Sequence, residues 1–353
     1  MKGHLILLDH LPGRAGPVEA AALMRDGRLE DLLIDSDAPT PGTIYRALAD
    51  RPVKGQGGMF LTTPDGSAFL KQVKGLSPGE PLLVQVTGHA EEGKAIPVTT
   101  KLLFKSRYAI VTPGAPGLNV SRQIKDDDIR DSLLEIAHEV LDDHPIMQQD
   151  AGLILRSSCE EAAGEDVAED IRAMADLALQ VLADAEGPAE KLIEGDGPHA
   201  LAWREWTMEA QIETEAGCFD HHGVRDKIEA LFRPESALGG GTLYVEPTRA
   251  FTAVDVNTGA DTSLAAGLKA NLAAARDLPR QLRLRGLGGQ IIIDLAPMPK
   301  KDRPAFEGAL RSALRSDDTD TVLAGWTPLG NYELQRKRAR RPLAEVVTKE
   351  MLE

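Results

Sequence analysis

Between residues 241 and 326 the spacing of apolar residues switches repeatedly between the period of a strand and that of a helix. GGGTLYVEP and FTAVDVN, joined by TRA, read as two strands of a hairpin. A helical stretch follows at about 263–285, then GLGG, the apolar strand QIIIDLA, a helix around 303–315 and the strand TVLAGWT. A final helical, basic tail is expected after it. Elements alternating in this way bury one sheet face under helices, which predicts an α/β layer domain. Pro279 falls inside the long helix and is expected to kink it.

The first two thirds are organised differently. HLILLD is a strand, and AALMRDG-RLEDLLI a hairpin about Asp26-Gly27, a favoured tight-turn pair. Over 38–112 short strand-like runs, GGMFLTT, SAFLKQV, PLLVQVTG and YAIVTP, recur between turn signals and suggest a small barrel. PGAPG at 113–117 closes that stretch. Residues 126–144 and 165–185 read as helices, the second with Val167, Ile171, Met174, Ala178 and Leu182 on one face. AGLILRSSC between them is a strand, 186–200 a Gly/Pro-rich linker, and 225–232 a short helix before Pro234. The length of 353 residues leaves room for two or three domains. No apolar run reaches the ~18 residues of a membrane helix, and the N-terminus lacks a signal-peptide pattern. Cys159 and Cys218 form no CxxC, which argues against a disulfide framework or a tetrahedral zinc site and fits a reducing cytoplasm.

A net charge of −15 argues at first against a nucleic-acid partner. Its distribution reverses that: residues 126–200 hold 21 acidic and 4 basic side chains, and the rest is close to balanced. Basic residues gather at Arg276–Arg285 and in RKRARR, Arg336–Arg341. Such clusters bind phosphates, end helices or form a solvated face.

Candidate chemistry lies at the strand ends. Side chains alternate along a strand, so Asp255 and Asn257 share one face of AVDVN. Asp294 ends the apolar strand QIIID, where a carboxylate is costly unless paired, hydrated or cation-bound. Two carboxylates on neighbouring strand ends either cap the following turns or hold one hard divalent ion such as Mg²⁺, leaving its other positions to water and phosphate. Such an ion polarises a phosphoryl oxygen and activates water. Asn257 would orient that water or the phosphate. His221-His222 with Asp220 read as loop residues rather than a metal cluster, GGGT as a hairpin turn, and Trp203 and Trp206 as helix core.

DVNTG followed by NLAAARDLPRQLRLRGLGGQIIIDL resembles the catalytic core of the ribonuclease E/G family. TIYRALADRPVKGQGGMFLTTPDGSAFL resembles the start of that family's OB-type RNA-binding barrel. SRYAIVTPGAPGLNVSRQI and AGLILRSS resemble its 5′-end sensor, and LGNYELQRKR the end of its catalytic domain. The resemblance implies an α+β and α/β, multi-subdomain fold. Residues 1–37 would be the N-terminal piece of a ribonuclease-H-like subdomain, 38–112 the barrel, 113–185 the sensor-like region, 186–232 a reduced ribonuclease-H-like segment, and 233–353 a deoxyribonuclease-I-like catalytic domain. It implies Mg²⁺-dependent endonucleolytic cleavage of single-stranded RNA in RNA processing or decay, leaving 5′-phosphate and 3′-hydroxyl ends. Asp255 and Asp294 would hold the metal and Asn257 assist. Phe69 and Lys94 match the barrel's RNA contacts, with a second phenylalanine at Met59 or Phe60. A ring at Phe60 would suit stacking of single-stranded bases.

In the sensor, Arg156 and Ser157 match an arginine and a threonine that hold a 5′-monophosphate, with Ile110 and Arg122 at neighbouring matches and Ser106 where the family typically has a glycine. The family's second sensor arginine falls in SDDTDT near Asp320, where a carboxylate would repel phosphate. The CPxC zinc motif is missing, so neither structural zinc nor a zinc-linked tetramer is expected, though another oligomer is possible. No scaffold tail for degradosome partners is expected. A cytoplasmic enzyme is expected. A catalytically weak RNA-binding protein of the same fold is the alternative.

Overall fold

The chain begins as an antiparallel meander of β1 (His4–Leu11), β2 (Val18–Arg25) and β3 (Arg28–Ile34). Asp26 and Gly27 both take positive φ, 52° and 78°, the primed turn whose twist matches paired strands. A computed structural model describes residues 3–53, 57–72, 75–91 and 93–352. It divides the chain into two units, Met1–Ser36 with Met208–Glu353, and Asp37–Thr207.

The inserted unit opens with β4 (Ile44–Val53), β5 (Gly58–Thr63), β6 (Gly66–Leu70), β7 (Pro81–Val86) and β8 (Ile96–Thr99). They close in the order β4-β5-β6-β8-β7-β4, with β6 and β8 parallel and every other pair antiparallel. This five-stranded closed barrel is consistent with the OB type. Alternation sends Tyr45, Ala47, Met59, Leu61, Ala68, Leu70, Val84 and Val98 inward to form its core.

A second sheet follows, from β9 (Phe104–Lys105), β10 (Ala109–Thr112), β11 (Gly117–Val120) and β12 (Gly152–Leu155), in the order β11-β12-β10-β9. The YAIVTP run is thus β10 and pairs here, not with a barrel strand. Helices α1 (Asp127–Leu141) and α2 (Gly164–Ala183) pack on this sheet through Leu133, Ala137, Val167, Ile171 and Ala178. Asp126 caps α1 by accepting from the amides of Asp128 and Ile129.

The expected linker at 186–200 contains structure. β13 (Glu190–Ile193) adds to the barrel against β4, and α3 (Pro198–Glu205) follows. Arg46 on β4, 3% exposed, holds this return: it donates to the Pro188 carbonyl at 2.7 Å and pairs with Asp184 and Glu190.

The chain then rejoins the first unit. β14 (Gln211–Glu213) lies parallel to β1, and α4 (Cys218–His221) and α5 (Val224–Ala230) cover the meander through Cys218, Phe219, Val224 and Ile228. Next come β15 (Glu235–Leu238), β16 (Gly241–Pro247), β17 (Thr252–Asn257), α6 (Leu264–Leu284), β18 (Gly289–Asp294), α7 (Arg303–Arg315), β19 (Thr321–Trp326), β20 (Tyr332–Arg336) and the short α8 (Leu343–Val346). The sheet order is β15-β16-β17-β18-β20-β19, with β17 and β18 parallel across the α6 crossover. Leu243, Val245, Val254, Val256, Ile291, Ile293 and Leu334 bury one face against α6 and α7. Small residues on α6 permit close approach: a Cβ on Gly267 would lie 2.1 Å from the Pro297 carbonyl oxygen. Helix α6 is continuous through Pro279. The expected helical tail begins instead as strand β20, inserted between β18 and β19, and turns helical only at the short α8.

Candidate functional site

Strands β17 and β18 are parallel and in register, so Asp255 stands directly beside Asp294. Val254, Val256 and Ile293 point into the core, and alternation turns Asp255, Asn257 and Asp294 to the opposite, solvent-exposed face. The three residues chosen from the strand pattern therefore share one surface. Neither carboxylate has a Lys, Arg or His ion-pair partner among the described residues. Partial burial, then the charge of Asp294, then that of Glu246 push the Asp255 carboxyl above the ordinary range. Glu246 lies on the neighbouring strand β16, opposite Ala253, and strand pattern alone had not drawn attention to it.

Asn257 accepts the Gly259 amide on Oδ1 at 2.8 Å, leaving its Nδ2 as the side chain's donor. The GGGT segment is the β15–β16 turn, as its glycines suggest. A Cβ on Gly241 would lie 2.4 Å from the Asn257 carbonyl oxygen, so glycine lets the turn pass close to the end of β17.

Among the described residues no group of three or more His, Cys, Asp or Glu could hold a metal ion. A pair of uncompensated carboxylates still fits a hard cation that takes its other ligands from water and phosphate. The raised Asp255 carboxyl fits partial burial beside a second, like-charged carboxylate.

On the barrel, β5 and β6 pair Phe60 with Phe69, ring centroids 5.3 Å apart. Both are half-buried, whereas Met59 is in the core, so alternation selects Phe60 as the outward residue. A Cβ on Gly58 would lie 2.4 Å from the Phe69 ring, so glycine seats that ring against the sheet. The Arg51 guanidinium lies 5.1 Å from the Phe60 centroid, a cation beside the rings that the sequence reading missed. Lys94 is exposed and pairs with Glu91 at 2.9 Å, a contact readily exchanged for another anion.

The sensor-like residues are differently disposed. Arg156 donates to the carbonyls of Ser106 at 2.6 Å, Arg204 at 3.1 Å and Arg107 at 3.3 Å, and to Glu205 at 2.7 Å. Lys105 and Arg204 also bind Glu205, at 2.6 and 2.8 Å. Burial opposes ionisation of Glu205, but Lys105, then Arg156 and Arg204, outweigh it and hold the carboxyl at about 2. The Ser106 hydroxyl donates to Asp170. Ser157 is half-buried, Arg122 exposed, and Ile110 lies on β10.

The basic clusters are also largely internal. Arg336, 2% exposed, pairs with Asp317 at 2.5 Å, and Arg283 pairs with the same carboxylate at 2.8 Å. Arg340 binds Asp31, Arg280 binds Asp277 at 2.7 Å, and Arg285 donates to the Arg233 carbonyl at 3.0 Å. Of the other expectations, His222 bonds Glu213 at 2.9 Å and Trp206 is buried, but Trp203 is 57% exposed and not helix core.

Comparison with known proteins agrees with the motif run. The profile described as "Ribonuclease E/G family" matches residues 104–214 and 203–339. Ribonuclease G of Salmonella typhimurium is 29% identical over 93% of this chain and 79% of its own length. Ribonuclease G of Escherichia coli K12 is 29% identical over 84% of this chain and 66% of its own. Ribonuclease E of Nostoc is 26% identical over 93% of this chain and 56% of its own, so the chain spans little more than half of that relative.

Proposed function

The chain belongs to the ribonuclease E/G family, and from that premise we propose that it is a Mg²⁺-dependent endoribonuclease acting on single-stranded RNA. The observation that carries the chemistry is the in-register pair Asp255–Asp294, solvent-facing and without a cationic partner among the described residues. Bound there, Mg²⁺ would supply Lewis-acid polarisation of the scissile phosphoryl group. Asp255 and Asp294 would hold the ion. Asn257, oriented through Gly259, donates from Nδ2 to a phosphoryl oxygen or to the attacking water. Hydrolysis leaves a 5′-phosphate and a 3′-hydroxyl. The substrate strand is held by base stacking on Phe60 and Phe69 and by a phosphate contact at Lys94.

In this reading Arg122, Arg156 and Ser157 keep the place of a 5′-end sensor but not its strength. The closed hydrogen-bond set of Arg156 also favours a second reading, an RNA-binding protein of the same fold with weak turnover. We assign the protein to the cytoplasm, where its two buried cysteines would stay reduced. No helix among the described residues is long and apolar enough to cross a membrane. The deciding assay follows a labelled AU-rich single strand with Mg²⁺ and with EDTA. Cleavage in Mg²⁺ that stops in EDTA and in Asp255→Asn supports the enzyme. Tight binding without cleavage selects the second reading, and neither binding nor cleavage overturns both.

A further inference from the structure

Trp203 on α3 is 57% exposed, where the sequence pattern put it in a helix core. Its ring is not isolated. The Arg107 guanidinium lies 4.1 Å from the indole centroid and donates a hydrogen bond to the Trp203 carbonyl. The same guanidinium lies 5.9 Å from the Tyr108 ring. Nearby Arg156 and Arg204 are neutralised by Glu205 and Asp196. Arg107 has no carboxylate partner among the described residues, and its Nε has no hydrogen-bond partner there.

We propose that Trp203 and Arg107 form a second nucleotide-binding platform, apart from Phe60 and Phe69, on which one base of a single-stranded RNA stacks while Arg107 takes the adjoining phosphate. The inference rests on the reading of the chain as an RNA-binding ribonuclease. Its warrant is the pairing of chemistries. An indole offers a wide π-face to any base, and an arginine beside it adds charge and a planar partner. A protein partner would more readily use a broad apolar patch. Trp203 is followed on α3 by the ion-paired Arg204 and Glu205, and Lys105 lies two residues before Arg107, so its chain neighbours are charged, which suits a charged, wet strand. Arg107 is anchored through its main chain, because its carbonyl accepts from Ser158 Oγ and Arg156. Its side chain therefore meets RNA from a fixed base rather than from a mobile loop.

The test uses the whole chain in EDTA, so that RNA is bound but not cut. A fluorescent poly(A) single strand is titrated while Kd and tryptophan emission are followed. Trp203→Ala is expected to weaken binding about five- to a hundredfold, the range for one base–aromatic stack. Trp203→Phe should keep most of the affinity but lose the RNA-induced quenching. Arg107→Gln should reduce the slope of log K against log salt by about 0.7, one phosphate contact on a single strand. Circular dichroism melts establish that each variant is folded. The inference is overturned if folded Trp203→Ala binds as the wild type does. It is equally overturned if Trp203 emission follows protein concentration instead of RNA, which would mark a protein interface. Should the wild type bind no RNA at all, the ribonuclease reading falls with it. Wild-type RNA binding with an indifferent Trp203 removes this inference alone.

Discussion

Asp255 with Asp294 in one unit and Arg156 with Glu205 in the other are two charged centres that the fold treats oppositely. At the first, two like charges stand side by side and no described residue supplies a cationic partner. At the second, an arginine is surrounded by three carbonyls and a carboxylate, and that carboxylate by two further cations. An uncompensated pair costs stability and persists where a ligand completes it. A compensated cluster is a structural joint, which must lose existing bonds before it can bind anything new. In the proposed function, the difference separates residues available to RNA from residues occupied in holding the chain together.

The largest expected effect tests the open centre. Asp255→Asn and Asp294→Asn should each lower cleavage by at least about a thousandfold, since an amide brings no charge to a hard cation. RNA affinity in EDTA should be unchanged. Each variant should also melt no lower than the wild type, and slightly higher if relief of repulsion dominates, because Asp294 and Glu246 both raise Asp255. Near-normal cleavage in either variant would remove the metal assignment. A large fall in melting temperature would show that the pair is a joint after all.

The closed centre should respond the other way. Arg156→Met leaves Glu205 with fewer partners and takes a donor from three carbonyls, of which that of Arg107 keeps Ser158 Oγ. The expected loss is about 1–3 kcal/mol in unfolding free energy, less than for a fully buried pair because both side chains are partly exposed. Urea unfolding measures it, and no change in the midpoint would break the comparison.

Acid adds a graded version. Glu205 falls from 4.5 unfolded to about 2 folded, so its contribution is complete above pH 4.5 and lost as pH drops from there towards 2. The shift corresponds to at most about 3 kcal/mol before screening at the partly exposed carboxylate. Glu205→Gln should flatten the fall in stability over that window. An unchanged acid profile would show that other carboxylates govern it.

These contrasts mark what the sequence could and could not reveal. Asp255, Asn257 and Asp294 were legible because strand alternation fixes the face of a residue, and the apolar runs around them are long. The same rule separates Phe60 from Met59. The partners of Arg336, Arg340 and Arg283 were not legible: Asp31 and Arg340 lie 309 residues apart, and only the folded chain joins them. RKRARR could bind phosphates, end a helix or form a solvated face as a sequence, and in space it gives internal ion pairs at Arg336 and Arg340. β20 was hidden for a related reason, since its buried positions are Tyr332, Leu334 and the ion-paired Arg336, and a buried arginine breaks the expected alternation. β13 is only four residues with mixed polarity, and its place is set by Arg46 and the barrel edge rather than by its own pattern. Trp203 was misread because three-residue spacing with Trp206 looks like a helix face, whereas Trp206 lies just past the end of α3.

The smallest expected effect concerns the 5′ end of the RNA. A sensor that works through Arg156 would make 5′-monophosphate RNA a better substrate than 5′-hydroxyl RNA. A charge-assisted arginine–phosphate contact is worth about 1.5–3 kcal/mol, or one to two decades in rate. In this chain the guanidinium would have to release Glu205 or backbone carbonyls to make that contact, and the gain of one charged bond would be offset by the loss of another. Asp170, bound to the Ser106 hydroxyl, adds a further negative charge to the region. The monophosphate advantage should therefore be below about tenfold, equivalent to ~1.4 kcal/mol. Two oligonucleotides identical except at the 5′ end, compared by kcat/KM, measure it. An advantage well above tenfold that vanishes in Arg156→Lys, a variant that keeps the charge but not the fork, would show that the joint opens for its ligand and would place Arg156 with Asp255 among the residues available to RNA.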